Sequence, residues 1–156
     1  MKRIKVLVLC LIIGSALSGC ATPLASNLHA EKKTLKIKIN LVLDPVEHGN
    51  SRVIYVPKPG HRFIAASLVI QNKTNQDLLV KLDKFELAFK KEVVMPPYII
   101  EGNTLFGSVV ANSRPVLSSN ESITRYFIYS FPLDYTPDRM VIPEIGEVVF
   151  PKTSGK

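Results

Sequence analysis

The sequence offers few groups able to do chemistry, and the most distinctive is one sulfur atom. Cys20 follows Leu17, Ser18 and Gly19, at the end of an apolar run that opens behind Lys2, Arg3 and Lys5. A thiol is the side chain most readily made nucleophilic near neutral pH, so alkylation of sulfur is the chemistry this position suits. Small side chains at Ser18 and Gly19 would let a peptidase approach the backbone. The other cysteine, Cys10, lies inside the apolar run, so no thiol follows Cys20. An intramolecular disulfide, a cysteine nucleophile and a thiolate metal site are thereby excluded from the rest of the chain. No glycine-rich phosphate loop, His-x-x-x-His helix or Gly-x-Ser-x-Gly elbow is present. His29, His48 and His61 are expected in tether or loops; Asp44 and Glu47 beside His48 could ligate a metal, but solvated loop residues are the simpler reading. A Ser-His-Asp arrangement is set by geometry and cannot be read from order. The sequence therefore assigns no catalytic, cofactor-binding or metal-ligating residue.

The elements that would position Cys20 form a leader. A basic start, an apolar segment from Ile4 to Leu17 and small residues at its end have the layout of a secretory signal peptide. The segment is shorter than the ~20 residues that span a bilayer core, so cleavage fits better than a permanent span. Leu17-Ser18-Gly19-Cys20 resembles the lipobox of bacterial lipoproteins. That resemblance implies a diacylglycerol thioether on Cys20, with Leu17, Ser18 and Gly19 recognised by the signal peptidase; the alternative is an ordinary small residue at a simple cleavage site. Two or three acyl chains hold a protein on a membrane durably, where one does so marginally. Ala21 rather than Asp after the cysteine implies, by resemblance to Gram-negative lipoproteins, the outer membrane, or the outer face of a single membrane.

Loss of residues 1–19 lowers the formal charge from +7 to +4, leaving a mildly basic chain of one-domain size. Residues 20–33 are small and polar, and are expected to form a lipidated N-terminus and flexible tether reaching at most about 45 Å. Leu35, Ile37, Ile39, Leu41 and Leu43 alternate with polar residues, which predicts a strand with one buried face. Arg52 to Val56, Leu78 to Leu82, Phe85 to Phe89, Ile123 to Phe131, Arg139 to Ile142 and Glu147 to Phe150 are further strands. Phe63 to Ile70 is nearly all apolar and reads as a central strand covered on both faces. Met95 to Leu117, broken by Pro96-Pro97, Gly102-Asn103, Gly107 and Arg114-Pro115, is the longest irregular segment, and Tyr98 and Phe106 within it are candidate partner contacts. Residues 152–156 are expected to be a disordered tail. Seven to eight short strands over 34–151 without a helix predict an all-β antiparallel sandwich.

Gly60-His61-Arg62-Phe63, Asn72-Lys73-Thr74, Phe85-Glu86-Leu87 and Ser119-Asn120-Glu121 before a strand ending at Pro132 resemble the immunoglobulin-like domains of unknown function carried by many small exported lipoproteins. In that family Pro-Gly stands where Ser119-Asn120 stands here, and an Asp-Gly hairpin where Lys90-Lys91 stands. The resemblance implies the fold and leaves function open. Asn72-Lys73-Thr74 and Asn120-Glu121-Ser122 match a glycosylation pattern, but turn formation explains both. The lysines at 32, 33, 36, 38, 81, 84, 90 and 91 could face anionic lipid or polysaccharide, though solubility and edge protection are the simpler roles. Nucleic acid is excluded as a partner by export and by the lack of interleaved aromatics. The expected function is a membrane-anchored, non-enzymatic module that binds another envelope protein, with a small-molecule or ion carrier as the alternative and a hydrolase third.

Overall fold

The structure is a computed structural model that describes residues 21–49, 54–104 and 107–151. The leader, Cys20, Arg52, Phe106 and the 152–156 tail lie outside the described residues. The chain is an all-β antiparallel sandwich. Strands β1 (Thr22–Glu31), β2 (Leu35–Val46), β5 (His61–Asn72), β9 (Ile99–Thr104), β10 (Gly107–Val110) and β12 (Ser122–Pro132) form a six-stranded sheet in the order β1-β2-β5-β12-β9-β10. Facing it is a four-stranded sheet, β14 (Gly146–Val149), β13 (Arg139–Ile142), β7 (Glu86–Phe89) and β8 (Val93–Met95). Two short pairs complete the fold: β3 (His48–Gly49) with β4 (Ile54–Tyr55), and β6 (Leu78–Leu79) with β11 (Val116–Leu117).

Alternation builds the core. Ile64, Ala66, Leu68 and Ile70 of β5 point inward beside Phe127, Tyr129 and Phe131 of β12, and meet Leu87, Met140 and Ile142 of the second sheet in one buried cluster. Phe85 stacks on Phe127 at 5.7 Å, and the Tyr129 hydroxyl donates to the Phe85 carbonyl at 3.0 Å. Each such buried aliphatic or aromatic side chain contributes roughly 1.5–3 kcal/mol. Burial, and next the nearby Glu86 carboxylate, push the Tyr129 phenol far above its usual range, so it stays a neutral donor.

Three expectations need correction. Residues 22–31 are a strand and not a tether: they pair with β2 from Thr22↔Asp44 to Glu31↔Lys36. Their period is hidden because a bulge between Pro23 and Ala25 and a left-handed Asn27 (φ 52°) interrupt it, and an edge strand needs only backbone bonds plus a few half-buried contacts such as Leu24 and Leu28. Lys73 donates to Glu31 at 3.0 Å at the far end of this strand, and that hydrogen bond holds the Glu31 carboxyl below its usual range. Second, the segment from Met95 to Leu117 contains a hairpin, Ile99 to Val110, that completes the main sheet. Its Pro and Gly residues mask a ladder that long-range pairing to Tyr126, Phe127 and Ile128 supplies. Third, among the described residues fourteen strands replace the seven to eight expected, because β1, β3, β8, β9, β10 and β11 lack a clean hydrophobic period.

Alternation in β2 also breaks. A register shift between Ile39 and Leu41 keeps Ile37, Ile39 and Val42 in the core and turns Leu41 and Leu43 onto the outer face, opposite Ser67 and Ala65. Phe63 to Ile70 is central as predicted, yet only its inward residues are uniformly buried; Ala65, Ser67 and Val69 are half-covered.

Turn positions account for the departures from the resembled family. Gly60, at φ 75°, occupies the third position of a turn closed by the His61 N–H on the Lys58 carbonyl at 2.9 Å. Asn120 adopts φ 59°, the left-handed site that a Gly would fill in Pro-Gly, and the Glu121 N–H closes that turn on Ser118. Lys90 adopts φ 48° where Asp-Gly is missing; its N–H donates to the Asp138 carboxylate at 3.2 Å, which secures a hairpin that the local residues disfavour.

Candidate functional site

The bulge in β2 and the half-covered residues of β5 give the outer face of the six-stranded sheet an apolar floor. Val46, Ala65 and Ile128 line it, and the β3–β4 pair lies across one side. His48 is held by stacking on Tyr55, with ring centroids 5.1 Å apart, and by an edge contact with Phe63 at 6.2 Å. Phe63 in turn stacks on Tyr98 at 5.7 Å.

Between His48 and the β9–β10 hairpin is a cleft of about 320 Å³. His48 Nε2 lies 3.3 Å from Glu101 Oε1, with both side chains largely buried, although the imidazole nitrogen makes no aligned hydrogen bond. Ser108 donates to Glu101 Oε2 at 2.7 Å, and Asn103 donates to the Tyr126 hydroxyl at 3.2 Å. A second cleft of about 420 Å³ lies on the other side of the β3–β4 pair, lined by Ile54, Tyr55, Pro57, His61 and Phe63. The contact order in the first cleft is hydroxyl, carboxylate, imidazole. In a nucleophilic relay the imidazole must stand between the other two to take the hydroxyl proton. The arrangement suits holding a ligand that offers hydrogen-bond donors or positive charge to Glu101.

The three histidines are on strands, not in tether or loops: His29 in β1, His48 in β3 and His61 opening β5. Asp44 is not beside His48 as a ligand but is occupied by Arg62, and among the described residues no group of three His, Cys, Asp or Glu side chains could hold a metal ion. Tyr98 is half exposed at the border of the outer face. Tyr126 enters the first cleft, whereas Tyr129 is core. Glu101 and Ser108 were not singled out by sequence, since neither spacing nor composition marks two residues whose meeting depends on the β9–β10 register.

Two of the motifs carrying the family resemblance, Gly60-His61-Arg62-Phe63 and Asn72-Lys73-Thr74, prove structural. The Arg62 guanidinium donates from Nε and Nη2 to the two oxygens of Asp44, and to the carbonyls of Pro132, Leu133 and Tyr135 at 2.8, 3.0 and 3.0 Å. Asn72, fully buried, donates to the carbonyls of Gln76, Leu117 and Ser118 and accepts from the Thr74 N–H and hydroxyl.

The sheet edges differ in their exposure to pairing. β1 carries Pro23, a bulge and Asn27 at positive φ; β14 carries Glu147; β8 lies between Lys91-Glu92 and Pro96-Pro97. β10, Gly107-Ser108-Val109-Val110, has neither proline nor charge, and Val109 and Val110 are 50% and 73% exposed. Because the Ala111 N–H donates to Ile100, Val110↔Glu101 is a non-hydrogen-bonded pair, so the N–H and C=O of Val110 face away from β9.

No protein-family model and no curated protein matches the chain. Solved structures do resemble it. A conserved hypothetical protein from Bacillus anthracis aligns with 12% identity over 82% of this chain and 96% of its own, at a TM-score of 0.59. An uncharacterized β-sandwich protein from Clostridium difficile 630 aligns with 15% identity over 75% and 82% at 0.47, and a functionally unknown protein from Listeria monocytogenes EGD-e with 14% identity over 78% and 73% at 0.47. At such identities the likeness concerns the fold: this chain is a β-sandwich with a solved counterpart of similar extent.

Proposed function

We propose that this protein is a lipid-anchored module of the bacterial cell envelope that binds another envelope protein without catalysing a reaction, by accepting an extended segment of that partner along β10. The leader and the Leu17–Cys20 motif support the anchoring. Among the described residues no helix is long and apolar enough to cross a membrane. The observation that carries the binding mode is the unblunted β10 edge: sheet edges are ordinarily protected by proline, charge or bulges, and a strand without them is a template for β-addition.

Val110→Pro is the direct test. It removes an outward N–H and leaves the bonds to β9 intact, so thermal stability is expected to stay close to wild type. A photo-crosslinker at Ser108 should capture a discrete envelope protein in cells, and Val110→Pro should abolish that product while Val149→Lys on the β14 edge leaves it unchanged. A product persisting in Val110→Pro would overturn the edge mode, and one of twice the monomer mass would name a second copy as the occupant.

The cleft supports a second reading, a carrier or sensor of a small molecule. Glu101 lies over an apolar floor, so the ligand class is a small primary amine with an apolar body. Binding of short alkylamines, read by chemical-shift changes at Ala65 and Ile128, should vanish in Glu101→Gln; matching shifts from alkyl carboxylates would sink this reading.

A further inference from the structure

We infer that the end of the sandwich formed by the start of β1, the β3–β4 pair and the β12–β13 connection rests on the lipid surface, with Ile54, Val56 and Leu133 as its apolar contacts. This deepens the anchoring proposed above and depends on lipidation of Cys20. The registers place these parts together. Thr22 pairs with Asp44, Val46 with Phe63 and Pro132 with His61, while the Leu133 N–H donates to Gly60; the N-terminal end of β1 therefore shares one end of the molecule with β3, β4 and the residues after β12.

Because β1 begins at Thr22, only Ala21 separates the anchored residue from the folded body. Two residues reach at most about 7 Å, well short of the roughly 45 Å a thirteen-residue leash would allow. The lipid must then leave the membrane surface close to this end of the sandwich. That end presents Ile54, 81% exposed, Val56, 76%, and Leu133, 57%, on separate segments, with half-exposed Tyr98 beside them. Amphipathic surfaces bury such residues about 5–10 Å into the headgroup and acyl boundary. Among the described residues, the exposed charges nearby, Lys58 against Glu47 and Asp134, do not favour anionic lipid, so the contact is apolar and insensitive to salt.

The chain contains no tryptophan, so a single introduced indole reports its own depth. The lipidated full-length protein carrying Ile54→Trp, or Val116→Trp at the opposite end as a control, is reconstituted on phosphatidylcholine vesicles containing lipid brominated near the headgroup. Quenching should be several-fold stronger at position 54 than at 116, and unchanged by added salt. Flotation reads the anchor separately. Protein that floats with equal or absent quenching at 54 overturns the docked pose and leaves anchoring intact; protein that does not float overturns the anchor and the pose with it.

Discussion

Arg62→Ala is expected to destabilise the domain by about 3–5 kcal/mol, the range for removing one partner of a buried, hydrogen-bonded ion pair. The substitution strands the Asp44 carboxylate, which is 8% exposed, and frees three backbone carbonyls at Pro132, Leu133 and Tyr135. These tie the end of β2 to the connection after β12 and so close one end of the sandwich. Arg62→Lys keeps the charge but loses the fork that serves four acceptor groups at once, and should recover only part of the loss. Urea unfolding followed by far-ultraviolet circular dichroism measures both; a fall of under about 1 kcal/mol for Arg62→Ala would place the pair among solvent-exposed bridges instead.

Asn72→Asp is expected to destabilise by about 2–4 kcal/mol, and by at least as much as Asn72→Ala. The Asn72 amide nitrogen lies 2.7, 3.0 and 3.0 Å from the carbonyls of Gln76, Leu117 and Ser118. An aspartate oxygen there would face three acceptors with no proton to give. Its protonated form can donate, so the folded state raises the carboxyl pKa above the unfolded value of about 3.9. The sign follows: the variant's deficit against wild type is full above the raised folded pKa and shrinks as pH falls through it towards the unfolded value. A deficit constant from pH 3 to 8, outside the pH effects shared with wild type, would refute the donor role.

These two residues also show what a local pattern can and cannot carry. Gly60-His61-Arg62-Phe63 and Asn72-Lys73-Thr74 were visible as motifs, and turn formation was the right reading of the second. That Arg62 meets Asp44 and the carbonyls after β12, some seventy residues on, was not visible, because β5 and β12 pairing creates that neighbourhood. Tyr98 was noticed for its residue type, whereas Glu101 and Ser108 acquire meaning only through the hairpin they share.

The sequence by itself determined the all-β class, the central place of Phe63 to Ile70, the aromatic strand that fills the core, and the lack of thiols after Cys20, all of which follow from composition and a period of two. Tertiary structure alone decided that residues 22–31 form an edge strand, that Leu41 and Leu43 turn outward past a bulge, that Ile99 to Val110 completes a sheet, and that His48 faces Glu101. The reason is physical: a buried face imprints its periodicity on the side chains, while edge strands, bulges and clefts are held by backbone hydrogen bonds to distant segments, which any sequence without a prohibitive residue can make.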